Sequence, residues 1–84
     1  MADPRVLTPV HATWLDSSGG GHWTLLSEFE TWEPTLIQTM GYLLRETDDY
    51  VIIVMSYDSQ PFDEQRGDTA LVIPRFAILN MELF

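Results

Sequence analysis

The 84-residue sequence contains no cysteine and no lysine, only two histidines, and four arginines against thirteen acidic residues. Without cysteine there is no disulfide framework, no thiolate nucleophile and no zinc ribbon. His11 and His22 alone leave little from which to build a metal centre. The shortage of cations gives a formal net charge of −9 and a pI near 4.2. Ordinary DNA or RNA binding is thereby disfavoured, because such affinity comes largely from releasing counterions to clustered Lys and Arg. Long hydrophobic runs are missing as well. No stretch approaches the roughly 18 apolar residues that a membrane span requires, and Met-Ala-Asp-Pro-Arg at the start has no apolar secretory core. The expectation is a cytoplasmic protein without membrane association and without a cofactor.

What is present suits one small globule. The composition is 45% hydrophobic and 12% aromatic with 20% charged residues, far from the disordered range. By surface scaling, a chain this size folds to roughly 5,000 Å² of accessible surface and buries about 60–65% of its unfolded area, so its core is thin. No repeat or linker divides it.

Val6 to Leu15 reads as a first strand, irregular or at an edge because Pro9 interrupts it. Asp16 to Gly21 reads as a loop, since Asp and Ser bond locally to the backbone and Gly supplies positive φ. Leu25, Leu26, Phe29 and Trp32 fall at helical intervals, and Ser27 with Glu30 has the form of a capping box, which predicts a short helix between Trp23 and Trp32 that Pro34 ends. Thr35 to Glu46 is predicted as a long strand bent at Gly41, and Tyr50 to Tyr57 is the strongest strand signal, joined to it by a turn at Thr47-Asp48-Asp49. An acidic loop from Asp58 to Asp68 follows, then strands at Thr69–Ile73 and Ala77–Phe84 with a helical turn at Pro74-Arg75-Phe76 between them. Five short strands, one bent, with one short helix between the first and second, predict a mainly β fold, a five-stranded SH3-like or Sm-like small barrel.

Trp14-Leu15-Asp16-Ser17, Gly21-His22-Trp23, Thr39-Met40-Gly41-Tyr42-Leu43-Leu44, Glu46, Asp48-Asp49, Val51-Ile52-Ile53, Ile73-Pro74 and Ile78 together resemble a group of small bacteriophage-encoded proteins. The resemblance runs from about Val10 onward and implies a viral accessory protein acting in an infected host cell; it supplies no catalytic residue. The hairpin and the Ile-Pro ending are similar to Sm-like barrels, in which a glycine in the second strand and an apolar last strand serve ring assembly. The basic RNA-pocket residues of that family have no clear counterpart here.

Catalysis would need a nucleophile with a base, a carboxylate pair in a cleft or a metal site. Asp16, Ser17, Ser18 and His22 are neighbours in sequence, but a flexible loop rarely holds triad geometry. Asp48-Asp49 and Asp63-Glu64 lack the ligand spacing of a calcium loop and read as solvated turn acids. A non-enzymatic protein is expected. Gly19-Gly20-Gly21-His22-Trp23 is more suggestive, because backbone N–H groups in Gly-rich turns bind anions and Trp23 would stack on a base; the ordinary alternative is a turn with a buried tryptophan. His11, within the first strand, reads as a satisfied structural histidine. Arg45, Arg66 and Arg75 are scarce cations in an acidic chain. Converging near Trp23 or Tyr57 they would grip phosphate beside a stacking face; otherwise each offsets adjacent acids. The candidate ligand-binding set is His22, Trp23, Arg45, Tyr57, Arg66 and Arg75.

Strands with one face in water should alternate apolar and polar residues. Tyr50 to Tyr57 does not, with Tyr50, Ile52 and Val54 on one face and Val51, Ile53, Met55 and Tyr57 on the other. The last strand is also greasy on both sides, Phe76, Ile78 and Phe84 opposing Leu79, Met81 and Leu83. The short helix with Leu25, Leu26 and Phe29 is expected to cover one patch, and self-association to cover the rest, giving a homo-oligomer. The first functional expectation is an oligomeric binder that sequesters a host protein or a small nucleotide-like signalling ligand to counter host defence. A second is an inhibitor whose acids, Glu28, Glu30, Glu33, Asp58, Asp63, Glu64 and Asp68, imitate DNA phosphates. Sm-like RNA binding is a third, disfavoured by charge.

Overall fold

The computed structural model describes residues 3–84. Five strands, β1 (Thr8–Asp16), β2 (Thr35–Glu46), β3 (Tyr50–Tyr57), β4 (Gly67–Pro74) and β5 (Ile78–Leu83), form one antiparallel sheet in the order β4-β3-β2-β1-β5. One helical turn, α1 (Leu26–Phe29), lies between β1 and β2, and 3₁₀ turns span Phe62–Glu64 and Arg75–Ala77. No ladder joins β4 to β5 among the described residues. The mainly β class and the five strands agree with expectation, but the sheet is open and not closed into a barrel.

At Gly41, where a bend is expected from the sequence, β2 comes close against β3. A Cβ on Gly41 would lie 2.7 Å from both Ile53 Cγ2 and the Val54 carbonyl oxygen, so only glycine permits this approach of β2 to β3. Just beyond it the β2–β3 register shifts between Leu43 and Arg45, and a bulge of this kind bends a strand. Their connecting turn is organised by Thr47, whose hydroxyl accepts the N–H groups of Asp49 and Tyr50 at 3.2 and 3.0 Å.

Val10 and Ala12 of β1, Val51 and Ile53 of β3 and Ile73 of β4 are fully buried on one face, ringed by Trp14, Leu43, Met55, Ala77, Ile78 and Met81. Trp14 satisfies its indole N–H on the buried Thr39 hydroxyl at 3.0 Å. On β3 the opposite face is half-covered: Val54 is buried, whereas Tyr50 and Ile52 are partly open.

Residues 17–34 leave the sheet as an arm. The helix expected from Trp23 to Trp32 shrinks to four residues, with Leu25 as N-cap and no capping side-chain bond. Ser27 lies inside the turn, so the capping box does not form. The expected cover for the sheet also fails: Leu25 and Leu26 are 68% and 78% exposed. The arm is held by its own contacts, Phe29 on Trp32 edge-to-face at 4.9 Å and Ser18 Oγ donating to the Glu33 carbonyl at 2.7 Å. Tertiary packing normally sustains so short a helix, and here no residue of α1 is buried. The result is extended, 61 × 24 × 19 Å with a radius of gyration of 17.1 Å, against about 12 Å for a compact chain of this length.

Candidate functional site

The most closely knit polar and aromatic cluster lies where the segment before β1 crosses the β3–β4 loop. Leu7 donates its N–H to the Tyr57 hydroxyl at 2.9 Å. Arg5 and Gln65 bond reciprocally, Arg5 N–H to Gln65 Oε1 at 3.0 Å and Gln65 Nε2 to the Arg5 carbonyl at 2.9 Å. The same Nε2 donates to the Asp58 carbonyl at 2.9 Å. One glutamine thus ties the chain's first described segment to a loop 60 residues away.

These contacts enclose a cavity of about 200 Å³ lined by Arg5, Leu7, Leu44, Val54, Tyr57, Phe62, Gln65, Arg66 and Gly67. Each element has a local reason for its place. Tyr57 ends β3 and packs edge-to-face on Tyr42 at 5.0 Å, which fixes its ring. Phe62 opens the 3₁₀ turn after Pro61. Arg5 sits 5.9 Å above the Phe62 ring and donates to the Leu44 carbonyl at 3.1 Å. Arg66 is held through its backbone, its N–H on Asp58 Oδ1 at 3.1 Å and its carbonyl accepting the Asp58 N–H at 3.0 Å. Its guanidinium enters no ion pair among the described residues. Two arginines and two aromatic residues therefore line one apolar-floored recess, a combination suited to a flat ring bearing an anionic group. Asp58, Asp63 and Glu64 join Arg66 and Gln65, which also line the cavity, around an open, acidic cleft.

Comparison with protein-family models, with curated proteins and with solved structures finds no match.

Of the residues singled out from sequence, Tyr57 and Arg66 meet in this cavity. His22 and Trp23 line a separate, shallow depression on the arm with Gly20, Gly21 and Leu26. Trp23 is fully exposed there, so the turn does not bury it. Gly20 and Gly21 adopt φ values of 127° and 102°, open to glycine and rare for other residues. Arg45 is exposed and lies 5.9 Å over the Tyr50 ring. Arg75 ties the β4–β5 corner to the β2–β3 turn: its Nε donates to the Thr47 carbonyl at 3.0 Å, Nη2 to the Glu46 carboxylate at 2.5 Å, and its N–H to the Asp49 carbonyl at 2.9 Å. That engagement leaves it little freedom to meet a ligand.

Asp16 accepts the N–H of Ser17 at 2.9 Å, and Ser18 is turned to Glu33, so the acid and one serine of the sequence cluster are spent on local bonds. His11 pairs with Gln38 at 2.8 Å, as befits a structural histidine. No group of three or more His, Asp or Glu side chains is placed to hold a metal among the described residues, nor is any described helix long and apolar enough to cross a membrane. Sequence reasoning missed Arg5, Phe62 and Gln65. Their meeting depends on how the chain's start is laid across a distant loop, and no spacing pattern records that.

Proposed function

We propose that the chain is a non-enzymatic accessory protein, of the phage type its sequence resembles, that self-associates and sequesters a small anionic ligand carrying a flat ring, such as a nucleotide. The Arg5–Tyr57–Phe62–Arg66 cavity carries this reading. Its volume of about 200 Å³ falls below the ~300 Å³ at which drug-sized sites begin. One protomer would thus grip part of the ligand, a ring between Tyr57 and Phe62 and a phosphate on Arg66, with a second protomer closing the site. In the same reading the open sheet belongs to an SH3-like or Sm-like barrel, for which the register shift in β2 after Leu43 and the return of β5 to β1 are the supporting features. Acting in the cytoplasm of a host, such a protein would lower the free level of a signalling nucleotide.

Charge density weighs against the acidic-mimic alternative. A net −9 spread along 61 Å is one charge per ~7 Å, about a quarter of the linear density of duplex DNA. The same charge disfavours Sm-like RNA binding.

Titration calorimetry against mono-, di- and cyclic nucleotides tests the proposal. Binding is expected for at least one class, and Arg66→Ala should weaken it by about 10- to 100-fold through loss of a charge-assisted hydrogen bond. Absence of heat with every nucleotide, or binding indifferent to Arg66→Ala, overturns it.

A further inference from the structure

The arm exposes Trp23 fully and Leu25 and Leu26 at 68% and 78%. It also carries Glu28, Glu30 and Glu33, and the chain has no lysine or arginine from Val6 to Leu44. Pairing arm with arm would set like charges together. Near the other end of β2 stands a cation, Arg45; its neighbour Glu46 is paired with Arg75, and Asp48 and Asp49 lie in the adjacent turn. Arg45 pairs in register with Ile52, and Ile52 with Val72. Cross-strand partners point to the same side of a sheet, so the three form one row on the face opposite Val51, Ile53 and Ile73. Tyr50 shares that face by its even spacing from Ile52. Val72 is 62% exposed and Arg45 enters no ion pair among the described residues. This is a small apolar strip with a spare cation beside it.

We infer that a second copy of this chain covers the strip: the arm of one protomer lies across the Arg45–Ile52–Val72 row of the next, Trp23 and Leu26 on the apolar residues and the arm's glutamates facing Arg45. Charge complementarity selects the pairing, and surface area supports it. The protomer exposes 6392 Å² where a compact chain of this mass exposes roughly 5,000 Å². A standard interface takes about 800 Å² from each partner. In a head-to-tail contact every protomer contributes two surfaces, arm and strip, and the roughly 1,400 Å² excess is close to that demand. The contact is heterologous, so it closes into a ring if the rotation allows and otherwise extends. The inference rests on the self-association part of the proposed function and not on the ligand.

The test uses ligand-free full-length protein, with mass read by light scattering and sedimentation at micromolar concentration and folding read by circular dichroism. Wild type is expected above 9.6 kDa. The double variant Trp23→Ser, Leu26→Ser and the single variant Val72→Asp should each weaken association by about tenfold or more while staying folded. Arg45→Glu repeats the second arm of the test should Val72→Asp weaken the edge strand. Mixing the arm variant with a strip variant leaves one complementary interface, and a 1:1 dimer should form. A wild-type monomer overturns the inference together with the self-association reading. Variants as associated as wild type, or monomeric variants whose mixture gives no dimer, overturn this contact alone.

Discussion

Gly41 stands where β2 lies too close to β3 for any side chain. Its hydrogen faces Ile53 and the Val54 carbonyl, where a Cβ would intrude to 2.7 Å on each, and one of those atoms is backbone that cannot swing aside. Gly41→Ala should therefore destabilise the fold by about 3 kcal/mol, at the upper end of overpacking costs, because β3 must shift as a whole. Urea denaturation followed by tryptophan fluorescence measures this. A loss under about 0.5 kcal/mol, the range of surface substitutions, would mean that β2 and β3 do not approach so closely. Arg75 shows the opposite relation between appearance and role. Scarce cations in an acidic sequence suggest ligand grips, yet this one is committed to Glu46, Thr47 and the β2–β3 turn. Arg66 keeps its guanidinium free because its own backbone, not its side chain, answers Asp58.

At the scale of elements, legibility followed how local each determinant is. The bounds of β2 and β3, Thr35–Glu46 and Tyr50–Tyr57, match the sequence-based expectation, because β-branched runs bracketed by a Thr-Asp-Asp turn encode a hairpin within a short span. The helix was overread. Leu25, Leu26, Phe29 and Trp32 have helical spacing, but spacing stabilises a helix only when a neighbour receives the apolar stripe, and no residue of α1 is buried. The candidate cavity was half legible: Tyr57 and Arg66 carry chemistry that composition makes conspicuous, whereas Arg5 and Phe62 matter only through a crossing that is set by tertiary structure. The arm's independence is itself testable. Asp16 and Thr35 are the last paired residues of β1 and β2, so Asn-Gly in place of residues 17–34 makes a two-residue hairpin. The shortened chain should remain folded and be as stable as the parent or more so, since a long loop no longer has to be closed. A stability loss above about 2 kcal/mol, the scale of an emptied core site, would show that the arm packs on its own sheet.

For the whole molecule the deciding quantity is surface. Five fully buried side chains form the centre of the core, while Phe76, Leu79, Leu83 and Phe84 at the β5 edge stay exposed along with the arm. A thin core gives a lone protomer modest stability, and burial in an assembly would add to it by mass action. Anything that binds the folded state and not the unfolded one raises stability in proportion to the logarithm of its concentration. For a self-associating chain that partner is the protein itself. Each tenfold increase in protein concentration then contributes about 1 kcal/mol per protomer, which for a domain this size raises the melting temperature by about 4–8 °C. Differential scanning calorimetry from about 10 μM to 1 mM, where association at micromolar concentration is populated, should show this drift. The arm variant Trp23→Ser, Leu26→Ser should show none. A melting temperature independent of concentration in both proteins would mean that the excess surface is exposed in solution, and the self-associated assembly would have to be abandoned.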